Sequence, residues 1–203
     1  MELQCLCVTP RSVTLLLEDG GLYHTARPYR LLLDGRLAAV ADTVVYTLYG
    51  LWPETTYTVA AVDAQGGSVS IEVTTAAELC TLDVRRFGAV GDGVHDDTAA
   101  IQAAILTCPP QGRVRIPAGE YAVSPLFLKS HIRVELAAGT RLCLTTDRTR
   151  LPILPGVLEN TDETRESYLG TWEGNPLDMF AALITGVDVE DVILYGEGIL
   201  DGQ

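Results

Sequence analysis

Aromatic side chains are scarce in this sequence, at 6% of 203 residues with three phenylalanines and two tryptophans, and cations are scarcer than anions, with 14 Lys and Arg against 27 Asp and Glu. The resulting formal charge of −13 repels a phosphate backbone and an anionic lipid surface alike, because both are bound through Lys and Arg; nucleic-acid and membrane partners are therefore set aside. No long apolar run follows Met1 and no basic segment introduces one, so neither a secretory signal nor a membrane span is visible. The protein is then expected in the cytoplasm if Met1 is its native start, and outside the cell if the sequence is that of a processed form. The five cysteines, Cys5, Cys7, Cys80, Cys108 and Cys143, are odd in number and mostly lie in apolar segments, which argues against a disulfide framework. Cys5 and Cys7 also lack a second pair or histidines at zinc-ligand spacing, which leaves them as strand residues. What is abundant is hydrophobic content, at 47%, much of it Val, Leu and Ile, accompanied by Thr and Gly. That composition suits an all-β protein of short strands and tight turns, with enough apolar material for a core.

Residues 1–78 alternate strand-like runs with turn chemistry. Ser12 to Leu17, Tyr29 to Leu33, Val44 to Tyr49, Thr56 to Val62 and Ser68 to Thr74 read as strands. Glu18-Asp19-Gly20-Gly21, Asp34-Gly35, Trp52-Pro53-Glu54 and Gln65-Gly66-Gly67 break them. This spacing predicts a sandwich of antiparallel sheets. Leu51-Trp52-Pro53-Glu54-Thr55-Thr56-Tyr57 has the form of a tyrosine corner, in which the phenol oxygen of Tyr57 ties back to upstream backbone and Trp52 belongs to the core. With that corner and the closing Val73-Thr74-Thr75-Ala76, the segment resembles a fibronectin type III domain, expected to serve as a spacer or packing partner.

From Leu79 to Gln203 the pattern changes. Arg86-Phe87-Gly88-Ala89-Val90-Gly91-Asp92-Gly93 leads through a glycine-hinged turn to Asp96-Asp97-Thr98. These three residues open a helix, and Asp97 and Thr98 are expected to cap it through their short side-chain oxygens. Ile101, Ala104, Ile105 and Cys108 fall on one helical face, and Pro109-Pro110 ends the helix. A phosphate-cradling loop is excluded: the glycines are in the wrong order, no P-loop lysine follows, and carboxylates crowd the helix start. The same position makes Asp96 and Asp97 capping residues rather than paired catalytic acids. Gly112 to Val123 reads as a strand, a turn and a strand, and further short strands follow at Pro125 to Ser130, Ile132 to Leu136 and Arg141 to Leu144. After a long excursion they resume at Asp188 to Tyr195 and run on to Gly202. Strands of this kind bury a shared core only when stacked as a solenoid.

The Phe87-Gly88-Ala89 to Gly93 opening resembles the entry segment of right-handed parallel β-helices of the pectin-degrading superfamily. Together with Pro117-Ala118-Gly119-Glu120-Tyr121, Pro125 to Ser130, and Gly196-Glu197-Gly198-Ile199-Leu200-Asp201-Gly202, it is similar to glycoside hydrolase family 28, the polygalacturonases. A fibronectin-like domain ahead of the β-helix, and an insertion around Trp172-Glu173-Gly174, are similar to bacterial exo-acting members. The resemblance implies a fibronectin III-like β-sandwich followed by a helix-capped right-handed parallel β-helix. It also implies inverting hydrolysis of α-1,4-galacturonide linkages of pectic oligosaccharides or polygalacturonate, without a cofactor, by an acid and a base separated far enough to admit water.

The family's catalytic motifs do not transfer to this sequence. Asn160-Thr161-Asp162 spells one of them but precedes the Gly196 to Gly202 run and continues as Glu163-Thr164-Arg165, so it is read as a decoy. No histidine among His24, His95 and His131 is flanked by glycines, and Arg115-Ile116 is followed by Pro117 instead of lysine. The expectation is an N-terminal portion whose catalytic residues lie downstream, with an incomplete β-helix whose open end seeks either the rest of the enzyme or another copy of itself. The other reading is a non-catalytic carbohydrate-binding or assembly module that keeps only the scaffold. Trp172 and Arg165 are the candidate substrate-binding residues, with Arg148 and Arg150 beside them in sequence.

Overall fold

The computed structural model describes residues 1–158 and 167–203, which divide into two compact units, Met1–Glu78 and Leu79–Gln203. In the first unit, β1 (Glu2–Val8), β2 (Ser12–Glu18) and β5 (Val45–Tyr49) form one antiparallel sheet in the order β1-β2-β5. A second antiparallel sheet has the order β4-β3-β6-β7, from β3 (His24–Leu33), β4 (Arg36–Thr43), β6 (Thr56–Val62) and β7 (Ser68–Thr74). Period-two alternation decides what faces inward. Val13, Leu15 and Leu17 from β2 join Tyr29 and Leu31 from β3 and Tyr57, Val59 and Ala61 from β6 in one core.

The corner before β6 is built as the sequence suggests in one respect and not in another. The Trp52 N–H donates to the Tyr57 hydroxyl at 2.9 Å, and the Thr75 hydroxyl donates to the Trp52 carbonyl at 2.6 Å. The indole is not a core group, however: Trp52 is 69% exposed, with the Arg11 guanidinium 5.6 Å from the ring centroid. Proline follows immediately, and the bend that lets Tyr57 reach back leaves the tryptophan on the outside of the turn.

The second unit is a stack of parallel strands. One sheet runs β8 (Cys80–Asp83), β10 (Gly112–Ile116), β13 (Ile132–Leu136) and β22 (Val192–Gly196). A second runs β9 (Asp92–Asp96), β11 (Gly119–Val123), β14 (Thr140–Leu144) and β23 (Ile199–Asp201). A third, shorter side pairs β12 (Leu126–Phe127) with β21 (Ile184–Thr185). The chain thus visits each side in turn, and Val114, Ile116, Tyr121, Val123, Leu126, Ile132, Val134, Leu136 and Leu142 point into a common interior. Gly91 shows how tight that interior is: its φ is +70°, and a Cβ there would stand 2.8 Å from Cζ of the fully buried Tyr121.

Between β14 and β21 the chain leaves the stack for three antiparallel pairs. β15 (Ile153–Leu154) pairs with β20 (Met179–Phe180), β16 (Val157–Leu158) with β17 (Ser167–Tyr168), and β18 (Thr171–Trp172) with β19 (Asn175–Pro176). A return to the third side then places β21 level with β12.

Helix α1 (Thr98–Thr107) lies against the outer edge of β12 and is fastened to it by side chains. The Gln102 amide accepts from the Phe127 N–H and donates to the Phe127 carbonyl, both at 2.8 Å, as a neighbouring strand would. Thr98 Oγ1 accepts the Ser124 N–H at 2.7 Å, and Lys129 Nζ donates to the carbonyls of Leu106 and Cys108 at the helix end. Beneath this polar stripe Ile101, Ala104 and Ile105 are fully buried.

The expected capping role of Asp97 is corrected. Asp97 occupies the N-cap position, but its carboxylate makes no bond to the helix. It accepts instead from the Val90 and Gly91 N–H groups at 2.7 and 2.9 Å. The reason is that the glycine turn brings two backbone donors together beside a carboxylate that is itself 1% exposed, and buried donors must be paired. The helix start is served by Asp96, whose carboxylate accepts the Thr98 N–H at 3.1 Å.

Ile101→Asp places an unpaired carboxylate under the helix and is expected to destabilise the second unit by roughly 4 kcal/mol or more. Thermal unfolding followed by circular dichroism checks this, and a transition unchanged from the parent would remove the helix from its role as edge cover.

Candidate functional site

The excursion between β14 and β21 carries the sequence-predicted binding residues, and the structure separates their roles. It begins with a turn of 3-10 helix over Arg148–Arg150, opened by Asp147, whose carboxylate accepts the Thr149 N–H at 3.0 Å. Arg150 then forms an ion pair with Asp96, the residue that opens α1. Its guanidinium is therefore committed to fixing the root of the excursion to the first coil. Arg148 is exposed on the same turn. Trp172 lies in the β18–β19 hairpin with 69% of its surface in solvent, so its ring is presented and not packed. Tyr168 and Phe180 are also about half exposed on this excursion, at 49% and 47%. Arg165 and Asn160-Thr161-Asp162 lie outside the described residues.

The walls of the stack carry further charged groups, arranged as ladders across neighbouring strands. On the outward face of the β8 sheet, Arg113 donates to Thr81 Oγ1 at 2.9 Å and pairs with Glu135, while Arg115 pairs with Asp83 at 3.4 Å. The Tyr195 hydroxyl donates to Glu135 at 3.3 Å. Burial above all, and then the Glu135 carboxylate, push the pKa of the Tyr195 phenol well above its ordinary value. Arg133 holds Asp191 at 2.9 Å, and on the next wall Arg141 pairs with Asp201.

Acid catalysis at neutral pH needs a carboxyl whose pKa is pushed up. Among the described residues, every carboxyl with a displaced pKa moves down. Backbone donors from Gly21 and Ala26 lower Asp19, and Arg133 with His131 lowers Asp191. Hydrogen bonds from Arg141 and the Gln203 N–H lower Asp201, and those from Thr149 lower Asp147. Asp96 is lowered despite its partial burial, by hydrogen bonds from Thr98 and by Arg150. Asp92 falls furthest, to about 2, held first by the His95 and Val94 N–H groups and then by the His95 ring, whose Nδ1 lies 2.6 Å from Oδ2. These are stabilised anions, suited to holding backbone and arginines in place. Among the described residues there is also no group of three or more His, Cys, Asp or Glu placed to hold a metal ion, and no helix long and apolar enough to cross a membrane.

The chain is similar to exo-acting polygalacturonases. A family model described as rhamnogalacturonase A/epimerase, pectate lyase-like, matches residues 81–137. An exo-poly-alpha-D-galacturonosidase of Dickeya chrysanthemi is 29% identical over 151 residues, covering 72% of this chain and 24% of the relative. A mannuronan C5-epimerase of Azotobacter vinelandii is 61% identical over 44 residues, 21% of this chain and 4% of its own. Among solved structures, the family 28 exopolygalacturonase of Yersinia enterocolitica superposes with a TM-score of 0.68 at 25% identity, over 99% of this chain and 41% of that one. The chain thus spans about a quarter of the Dickeya relative and two fifths of the Yersinia chain.

The depression of the Asp92 pKa has a sign and an origin that can be measured. A carboxyl with a folded pKa of about 2 against an ordinary value of 3.8 contributes stability that is fully present above 3.8 and lost as pH falls toward 2. Because the backbone donors are the leading cause, His95→Ala is expected to raise the Asp92 pKa while leaving it below 3.8. Carboxyl carbon shifts titrated by NMR check this, and a full return to 3.8 would assign the whole effect to the imidazole.

Proposed function

We propose that this chain is the N-terminal portion of a polygalacturonase-like hydrolase of glycoside hydrolase family 28, acting on α-1,4-galacturonide linkages in pectic oligosaccharides or polygalacturonate with inversion. On this reading residues 1–78 are a fibronectin type III-like domain and residues 79–203 the first, helix-covered coils of a right-handed parallel β-helix. The observation that carries the proposal is the superposition of 99% of the chain on the Yersinia exopolygalacturonase. The Dickeya galacturonosidase supports it in sequence. The acid and base are assigned to polypeptide beyond residues 1–203, because the family's catalytic motifs do not transfer to this sequence. Trp172, with an exposed ring able to stack on sugar C–H surface, and Arg165 are the proposed substrate contacts within this chain.

The named relatives span hydrolysis and epimerisation, and the matching family model is described as lyase-like, so the scaffold by itself does not select the reaction. Product analysis does. A protein extending beyond residue 203 is expected to release saturated galacturonate with inverted anomeric configuration, read by proton NMR on fresh product. An unsaturated uronate would indicate elimination, and an altered uronate epimer without chain cleavage would indicate epimerisation; either outcome overturns the proposal. Residues 1–203 alone are expected to release no reducing ends from polygalacturonate, and hydrolysis by that purified chain would show that the acid and base lie within it.

In the longer protein, Asp162→Asn is expected to leave turnover of oligogalacturonides within a small factor. A loss of about a thousand-fold, the scale of removing essential catalytic machinery, would identify Asn160-Thr161-Asp162 as the true motif. Trp172→Ala is expected to raise KM several-fold with little change in kcat, the signature of a lost binding contact.

A further inference from the structure

We propose that Cys80 and Cys108 are a redox-reversible dithiol, closing to a disulfide when the protein meets an oxidised low-molecular-weight disulfide such as oxidised glutathione. All five cysteines are free thiols in this structure, and these two stand in an unusual relation. Cys80 begins β8 and Gly112 begins β10, and the two are partners in the parallel ladder. Thr81 and Asp83 face outward, where they meet Arg113 and Arg115. Alternation therefore turns Cys80 inward together with Leu82, which packs on the interior core. On the neighbouring strand, Gly112 shares that inward orientation with Val114 and Ile116.

Gly112 has no side chain to fill its place in the inward row, and the sulfur of Cys108 fills it instead. A Cβ built on Gly112 would lie 2.8 Å from Cys108 Sγ. Neighbouring strands are about 4.8 Å apart, so the Cys108 sulfur occupies the row position next to Cys80. Cys108 itself is fully buried at the end of α1, whereas Cys80 is partly exposed. Electrostatics agree with the geometry: burial first, and then Cys80, push the Cys108 thiol up, while the Lys129 ammonium acts in the opposite direction. Lys129 is held there by its bond to the Cys108 carbonyl.

The difference in exposure sets the order of events. The Cys80 thiolate, its proton given to solvent, attacks one sulfur of oxidised glutathione and expels one glutathione thiolate. The Cys108 thiolate then attacks the Cys80 sulfur of the mixed disulfide and expels the second. Two protein thiols and one oxidised glutathione become one protein disulfide and two glutathione molecules. The bond ties the first strand of the stack to the end of the helix that covers it, so it constrains the element on which the covered edge depends.

The test uses the 203-residue chain with Cys5, Cys7 and Cys143 replaced by serine, reduced and then equilibrated with glutathione buffers of graded composition. Oxidation is expected to remove the mass of two hydrogen atoms and to protect both thiols from iodoacetamide. Trypsin without reductant is expected to yield the peptide 37–85 joined to 87–113, cut at Arg36, Arg85, Arg86 and Arg113. The oxidised chain should melt several degrees higher than the reduced one, and Cys80→Ser should abolish that shift. Since Cys108 is buried, Cys108→Ser serves only as a second variant, expected to trap a glutathione adduct on Cys80. Both thiols remaining alkylatable in oxidised buffer, a stable glutathione adduct on Cys80 with Cys108 intact, or a bond formed only between two chains would each overturn the proposal.

Discussion

A coil of parallel strands satisfies its backbone only through the coils above and below it, and the architecture of residues 79–203 depends on that requirement. Each strand pairs sideways with the next turn of the chain, so the first coil has an edge with nothing beneath it. On the third side that edge is met by α1, and the match is chemical as well as steric. Thr98, Gln102 and the Leu106 carbonyl recur at intervals of one helical turn. They meet Ser124, Phe127 and Lys129 in the same sequence order. The Gln102 amide supplies one donor and one acceptor to Phe127, whose flanking residues Leu126 and Leu128 donate the other way, to Leu183 and Thr185. A helix cannot extend a ladder with its own backbone. Here side chains extend it, and the apolar stripe of Ile101, Ala104 and Ile105 closes the interior below.

The glycine-rich entry follows from the same requirement. To pass from the first strand of the stack to the helix, the chain crosses beside Tyr121, and at Gly91 there is no room for a Cβ against the ring. That crossing leaves the Val90 and Gly91 N–H groups facing inward, and Asp97 accepts both. The acidic pair ahead of the helix therefore divides its work, Asp97 serving the turn and Asp96 serving the helix start and the excursion through Arg150. Both carboxylates are thereby occupied as hydrogen-bond acceptors within the fold.

What the sequence makes legible is what local patterning controls. Thr56 to Val62 and Ser68 to Thr74 alternate strictly and are strands with those bounds. Glu2–Val8 carries a register break between Cys5 and Cys7, which interrupts the alternation a reader relies on. Arg36–Thr43 is alanine-rich and lies at a sheet edge with Leu37 and Val40 exposed, so neither its propensity nor its pattern announces a strand. Trp52 was legible as part of a corner but not as an outward residue, because its direction is set by a bond to Tyr57 five residues on. The candidate site is less readable still. Trp172 stands out as an exposed aromatic, yet the pairing of Arg150 with Asp96 spans 54 positions and has no local signature.

On the proposed function, the same ladders that order the walls bear on how an acidic polysaccharide is met. Arg113, Arg115, Arg133, Arg141 and Arg150 each face a carboxylate supplied by a neighbouring strand or turn of the same unit. Turning any of them toward a galacturonate carboxylate would strand its present partner, and for Arg113 and Glu135, both largely shielded from solvent, the cost of an unpaired charge exceeds what a new contact returns. These walls therefore present a neutralised surface. On the proposed function, attraction for an acidic polysaccharide comes from cations outside these ladders, and among the described residues Arg148, exposed at the start of the excursion that presents Trp172, is such a group.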